Sequence, residues 1–157
     1  MYQPARPALD YFKSCLTEDY ANFSGRARRA EYWYYSLAIG LAFLALVAVM
    51  FVIGAVVASF DPSEDVAAAG MVLAGLMLGA AFLATFIPGL AVTVRRLHDT
   101  GRSGWWYLIS LIPYVGGIVL FVFTVLDSER GRNQWGPSPK FRVEDDVIDH
   151  LEVGRYA

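Results

Sequence analysis

Three long runs without Asp, Glu, Lys, Arg or His dominate the pattern of hydrophobic and polar positions along the chain. They cover residues 32–60, 66–94 and 103–126. Each run holds about 24 to 29 residues, whereas a helix needs about 20 to cross a hydrocarbon core of about 30 Å. The pattern therefore predicts membrane-embedded helices at about 33–60, 66–94 and 104–126.

The competing interpretation, buried helices of a soluble protein, requires a protein coat around segments that are hydrophobic on every side. A chain of 157 residues, 56% of them hydrophobic and 18% charged, is too short and too apolar to supply that coat. We predict an all-α fold, a polytopic transmembrane helical bundle. It divides into a cytoplasmic N-terminal segment (1–31), a transmembrane domain (32–126) and a polar, acidic, weakly ordered tail (127–157).

The third hydrophobic segment is interrupted near its middle by Pro113 and by the pair Gly116 and Gly117. Proline and glycine kink or break helices, and non-helical backbone is tolerated in a membrane where protein covers it. We favour a single kinked crossing, because each half alone is too short to span. A re-entrant hairpin is the alternative, and it would return the tail to the cytoplasm.

Aromatic side chains mark the ends of the first and third segments, with Trp33 at one and Trp105 and Trp106 at the other. Such residues are typical anchors at the headgroup level. Arginines lie before the first segment and between the second and third, whereas the loop 61–65 has no Lys or Arg. By the positive-inside rule the N-terminus is cytoplasmic. Three crossings then place the tail outside, although the tail is itself basic at several positions.

The N-terminal segment repeats hydrophobic residues at spacings of three and four: Leu9, Phe12, Leu16, Tyr20 and Phe23. This spacing predicts an amphipathic helix lying in the membrane interface. A helix packed against the cytoplasmic ends of the bundle fits the same spacing and is compatible with the first interpretation.

Charge and cysteine content exclude several classes of function. The 13 Lys and Arg against 15 Asp and Glu give a net charge of -2, so we expect no nucleic-acid partner. One cysteine, Cys15, builds neither a disulfide framework nor a thiolate metal site. We expect no metal, no cofactor and no catalytic residue.

Two strings stand out, GRARRAEYW at 25–33 and RRLHDTGRSGWW at 95–106, followed by LIP at 111–113, Gly116 and Gly117, and GRNQWGPSPK at 131–140. With these motifs the chain resembles, from about Tyr11 to Lys140, a family of small bacterial inner-membrane proteins known as domain of unknown function 805. The resemblance implies a multi-helix bundle in the bacterial inner membrane, and it implies no activity. The small residues of 61–70 and the acidic extension after Lys140 depart from the family pattern.

The predicted topology brings both motifs to the cytoplasmic membrane surface, where we expect a charge cluster that is structural or faces lipid or a partner. Its members are Arg26, Arg28, Arg29, Glu31, Arg95, Arg96, His98, Asp99 and Arg102. Glu31 needs a partner among the arginines at 28, 95 and 96, because an unpaired carboxylate at a membrane boundary is costly. Asp99 accepts from the arginine at 26, 29 or 102 or caps a turn, and Ser103 is the predicted N-cap of the third helix.

Three classes of function follow. We prefer a non-enzymatic membrane protein that binds anionic lipid headgroups, a membrane-protein partner or a second copy of itself through this basic face. The first alternative is an oligomeric small-solute transporter or channel component, which the absence of ionisable residues in the hydrophobic runs disfavours. The second alternative is a lipid-headgroup enzyme using His98 and Asp99, although adjacent residues on a regular backbone do not face each other.

Overall fold

The computed structural model describes residues 6–141. In chain order the elements are α1 (Ala8–Leu16), α2 (Arg29–Phe60), α3 (Glu64–Asp99), a 3-10 helix (Gly104–Leu111), α4 (Val115–Val125) and the antiparallel two-residue strands β1 (Arg132–Asn133) and β2 (Gly136–Pro137). The chain divides into two compact units. We call the described part of the first, 6–35 and 88–141, the motif unit, and the second, Ser36–Ile87, the apolar unit.

The apolar unit contains the hydrophobic lengths of α2 and α3, and its large side chains are exposed. Leu44, Phe51 and Leu83 are 66%, 75% and 70% exposed. Helices of 32 and 36 residues extend over about 48 Å and 54 Å, more than the hydrocarbon core of about 30 Å. The segments predicted at 33–60 and 66–94 thus form two helices long and apolar enough to cross a membrane.

A glycine turn ends α3 and directs the chain into the 3-10 helix. Gly101 has a φ of +74°, the left-handed conformation that closes a helix C-terminus at low cost. Its N–H donates to the His98 carbonyl at 3.1 Å, and the next N–H, that of Arg102, donates to the Leu97 carbonyl at 2.9 Å. Ser103 then accepts from the Trp105 N–H, so the predicted N-cap is confirmed, although the helix it caps is a 3-10 helix.

The third hydrophobic segment folds back on itself. The 3-10 helix and α4 are joined by 112–114, where Tyr114 takes a φ of 64°. Gly116 permits the return, because a Cβ there would overlap the Ile109 carbonyl. At the other end the rings of Trp106 and Phe123 lie edge to face, 5.6 Å between centroids.

The single kinked helix that we favoured for 104–126 is therefore wrong. In one helix, residues 106 and 123 would lie about 25 Å apart, whereas here their rings are in contact. The segment forms a hairpin of two short helices, which agrees with the alternative left open by the sequence.

The N-terminal helix α1 is shorter than its hydrophobic spacing predicts. It ends at Leu16, where the Thr17 hydroxyl donates to the Lys13 carbonyl at 2.9 Å, a local bond that competes with helix continuation. Its face with Tyr11 and Cys15 is buried, whereas Leu9 is 59% exposed. The helix therefore packs on protein along one face and leaves an apolar edge uncovered.

Candidate functional site

The nine residues of the predicted charge cluster all belong to the motif unit. Six of them are buried: Arg26, Glu31, Arg95, Arg96, His98 and Asp99. The other three, Arg28, Arg29 and Arg102, are partly or largely exposed. The structure therefore separates the cluster into a buried core and an exposed rim.

Asp99, the last residue of α3, is the centre of the buried core. Its carboxylate has no exposed surface and accepts from Arg26 Nε at 3.0 Å, from Ser128 Oγ at 2.6 Å and from Arg96 Nη1. Of the three partners that the sequence proposed for Asp99, the one at position 26 is correct. Three bonds to a buried carboxylate satisfy the charge that burial would otherwise penalise.

Arg26 uses all five of its N–H donors. Besides the bond from Nε to Asp99, Nη1 donates to the carbonyls of Gly131 at 3.0 Å and Gly136 at 3.2 Å. Nη2 donates to the carbonyls of Asp99 at 3.2 Å and of Glu129. One guanidinium thus joins the first motif to the end of α3 and to the tail.

Arg96 makes a similar connection to the hairpin. Its Nε donates to the Thr124 carbonyl at 3.1 Å, and its Nη2 donates to the Leu126 carbonyl. The last carbonyls of a helix lack hydrogen-bond donors within the helix. At the end of α4, Arg96 provides these donors. A further bond from Nη1 to the Ala27 carbonyl, 3.3 Å long, returns to the first motif.

A second ionic group lies beside the core, where α1, α2 and α3 meet. Arg95 Nη1 donates to Glu31 Oε1 at 2.6 Å and lies 3.6 Å from Asp19 Oδ2. The predicted Glu31 partner is therefore confirmed as Arg95. Cys15 Sγ lies 3.9 Å from Arg95 Nη2, and burial, reinforced by the Glu31 charge, raises the pKa of this thiol to about 12. Cys15 is consequently a neutral packing residue at physiological pH.

His98 does not face Asp99. Its Nδ1 lies 3.1 Å from the Gly25 carbonyl, and its ring stacks on Trp135, with 4.5 Å between centroids and 8° between planes. The pairing required by the lipid-headgroup enzyme hypothesis is therefore not formed. Among residues 6–141, no cluster of three or more His, Cys, Asp or Glu side chains could hold a metal ion.

Sequence reasoning missed the contribution of the tail. Residues 127–141 supply the Ser128 hydroxyl, the carbonyls that accept from Arg26, and the Trp135 ring that stacks on His98. They also supply Asn133, whose amide donates to the His98 carbonyl at 2.9 Å. The signal was present in the string at 131–140, where a tryptophan and two glycines suggest a tight structured turn. The prediction of a weakly ordered tail at 127–157 was based on the turn-rich string at 130–140 and on the acidic run that follows it, and that run lies outside the described residues.

The exposed rim contains a hollow beside the start of α2. Its volume is about 420 Å³, and it is lined by Arg29, Ala30, Trp33, Tyr34 and Val125. Arg29 Nη2 lies 3.2 Å from Asp127 Oδ1. Burial would raise the pKa of Asp127, but hydrogen bonds from Lys140 and from the Ser128 N–H lower it overall. The predicted anchors Trp33, Trp105 and Trp106 are 38%, 78% and 48% exposed.

Substitution of Arg26 tests whether the planar guanidinium holds the tail. We expect Arg26→Lys to lower the free energy of unfolding by about 3 kcal/mol, because an ammonium cannot reach three segments at once and leaves Asp99 short of a partner. Denaturant unfolding in detergent micelles measures this. Arg132→Lys, at an exposed position, is the matched control and should change the free energy by less than about 0.5 kcal/mol. Equal effects of the two variants would contradict this assignment.

The contact between Glu31 and Arg95 predicts strong energetic coupling. In a double-mutant cycle with Glu31→Gln and Arg95→Gln, the Arg95 variant leaves the Glu31 carboxylate buried without a cation, and the Glu31 variant leaves Arg95 only the partly exposed Asp19 carboxylate at 3.6 Å. The double variant removes both buried charges. We expect the double loss of unfolding free energy to be smaller than the sum of the single losses by about 2 kcal/mol. Additive losses in thermal or denaturant unfolding would show that the two side chains do not interact.

Comparison with known proteins places this chain in a family. The model of a family described as "Protein of unknown function (DUF805)" matches residues 20–137. The chain is 37% identical over 133 residues to "Inner membrane protein YhaI" of Escherichia coli strain K12, covering 85% of this chain and 98% of the relative. It is 36% identical over 132 residues to "Inner membrane protein YhaH" of the same strain, covering 84% and 98%. No solved structure matches the chain.

Proposed function

The chain belongs to the DUF805 family and is an integral inner membrane protein, and from this premise we propose that it binds anionic phospholipid headgroups at its cytoplasmic surface without catalysing a reaction on them. The observation that carries the proposal is the hollow at Arg29. The exposed Arg29 guanidinium and the aromatic side chains of Trp33 and Tyr34 line this hollow together, at the start of a long apolar helix. A phospholipid presents the matching sequence of groups, an anionic phosphate followed by a glycerol and acyl region.

We propose two crossings, α2 and α3, with the hairpin of the 3-10 helix and α4 entering the membrane and returning. The bonds from Arg26 to the Gly131 and Gly136 carbonyls support this, because they require the first motif and the tail to be on one side. The positive-inside rule makes that side the cytoplasm. The Lys and Arg residues of the tail, which a third crossing would export, then lie on the side that the rule assigns to them.

The buried core supports a binding protein over an enzyme. Arg26, Arg96 and Asp99 bond one another, main-chain carbonyls and the Ser128 hydroxyl. Their hydrogen-bonding groups are therefore used within the fold and do not face a substrate. Of the other two rim arginines, Arg102 stacks on Phe123 at 4.2 Å, and Arg28 is half-buried and donates from Nη2 to the Lys140 carbonyl at 3.3 Å. This leaves Arg29, whose side chain is 44% exposed, as the cation best placed to meet a lipid phosphate.

Labelling of introduced cysteines tests the topology. We expect Ser63→Cys, in the loop between α2 and α3, to react with a membrane-impermeant maleimide in intact spheroplasts. Gln134→Cys, exposed on the tail, should react only after the membrane is opened. The unmodified chain is the control, since its single cysteine is fully buried and should remain unlabelled. Reaction of Gln134→Cys from outside would overturn the proposed hairpin topology.

Lipid retention tests the Arg29 hollow. We expect Arg29→Gln to weaken phosphatidylglycerol binding, relative to phosphatidylethanolamine, about fivefold, corresponding to about 1 kcal/mol for one cation near the headgroups. Asp127→Asn should strengthen it, because it removes the competing carboxylate. Native mass spectrometry of the purified protein measures both.

Arg132→Gln removes one exposed cation outside the hollow and serves as the charge-matched control. A loss as large as that of Arg29→Gln would indicate a diffuse electrostatic effect and would contradict a defined site.

A further inference from the structure

A second cavity of the motif unit lies between α3 and the 3-10 helix. Its volume is about 410 Å³, and its lining residues are Phe23, Leu90, Val94, His98, Ser103, Gly104, Trp105, Tyr107 and Leu108. The volume is within the range of small-molecule sites, about 300 to 1,000 Å³. Of the buried core only His98 lines this cavity, and the Arg29 hollow shares no lining residue with it.

The wall of the cavity changes from apolar to polar along α3. Leu90, Val94 and His98 line it at spacings of four residues, which places them on one face of the helix about 6 Å apart at each step. In the proposed topology this direction runs from the bilayer towards the cytoplasmic surface. An occupant that fits such a wall has an apolar body and one polar end.

The polar end of the cavity offers a hydrogen-bond acceptor and a donor. Because the Gly25 carbonyl only accepts, its contact with His98 Nδ1 places the proton on that nitrogen, and neutral imidazole then has a lone pair on Nε2. The Ser103 oxygen accepts from the Trp105 N–H, which leaves the hydroxyl proton to be donated. A hydroxyl group both donates and accepts, and it matches this pair.

The charge of the lining selects against a phosphate. None of the nine lining residues is Lys, Arg, Asp or Glu. The three arginines nearest in sequence have other partners. Arg95 Nη1 donates to Glu31 at 2.6 Å, Arg96 donates to the Thr124 and Leu126 carbonyls, and Arg102 donates to the Thr100 carbonyl at 2.9 Å. An anionic headgroup would therefore be desolvated here without a cation to compensate it.

We propose that this cavity binds a neutral lipid with a free hydroxyl headgroup, of the diacylglycerol class, with the hydroxyl between His98 and Ser103 and the acyl region along Val94 and Leu90. The site relies on the proposed topology and is separate from the Arg29 hollow. It gives the protein a means of distinguishing a headgroup without phosphate from the phospholipids around it.

Photolabelling in nanodiscs tests the proposal with the full chain. A diacylglycerol carrying a diazirine in its acyl chain, at low mole fraction in phosphatidylethanolamine, should label the protein saturably on residues of the lining. Unlabelled diacylglycerol should compete, whereas its O-methyl ether and phosphatidylglycerol should not. His98→Phe keeps a ring to stack on Trp135 and removes the acceptor, so half-saturation should require about fivefold more probe.

Two tryptophan variants show where the probe binds. Leu90→Trp fills the cavity and should abolish saturable labelling. Leu111→Trp, on the 3-10 helix but outside the lining, should leave it unchanged, and circular dichroism with a thermal melt checks that both fold. Labelling that survives Leu90→Trp, or competition by the O-methyl ether equal to that by diacylglycerol, would overturn the proposal. Arg29→Gln should not alter labelling, so failure here is distinguishable from failure of the anionic-lipid site.

Discussion

A buried carboxylate at the end of α3 is the constraint on which the motif unit depends. Asp99 has no exposed side-chain surface and lies between the guanidiniums of Arg26 and Arg96. Such an arrangement adds little net stability compared with apolar packing, but removal of one member is strongly destabilising. Its main consequence is geometric, because each guanidinium has donors left after binding the carboxylate. Those donors bond main-chain carbonyls from three distant parts of the chain.

The hairpin shows what these carbonyl bonds accomplish. A helix that ends at a membrane boundary leaves its last carbonyls without partners, and an unsatisfied carbonyl near hydrocarbon is costly. Arg96 bonds the carbonyls of Thr124 and Leu126 at the end of α4. The hairpin can therefore end beside α3, where a charged side chain already lies. The short apolar segment can therefore fold back to its starting point with these carbonyls bonded.

Hydropathy and charge spacing were sufficient to predict α2 and α3, the cap at Ser103 and the pairing of Glu31 with an arginine. They could not distinguish a crossing from a hairpin at 104–126, because both have the same composition and length. The decisive features are local: the contact that Gly116 permits and the positive φ of Tyr114, a conformation rare for tyrosine. The tail was missed for a different reason. Arg26 donates to main-chain carbonyls of the tail. Because every residue type carries the same carbonyl, the sequence does not show which residues accept these bonds.

The division between buried and exposed arginines changes what the motifs imply about lipids. The guanidiniums of Arg26 and Arg96 and the carboxylate of Asp99 have a formal net charge of +1. Arg95 with the carboxylates of Glu31 and Asp19 has a formal net charge of -1. These six charged groups therefore sum to zero, although they include three of the arginines that define the motifs. The proposed attraction to anionic headgroups therefore depends on the rim, where Arg29 is exposed beside Trp33. A count of basic residues near the spans thus overstates the surface charge, and the position of one exposed side chain matters more than the total.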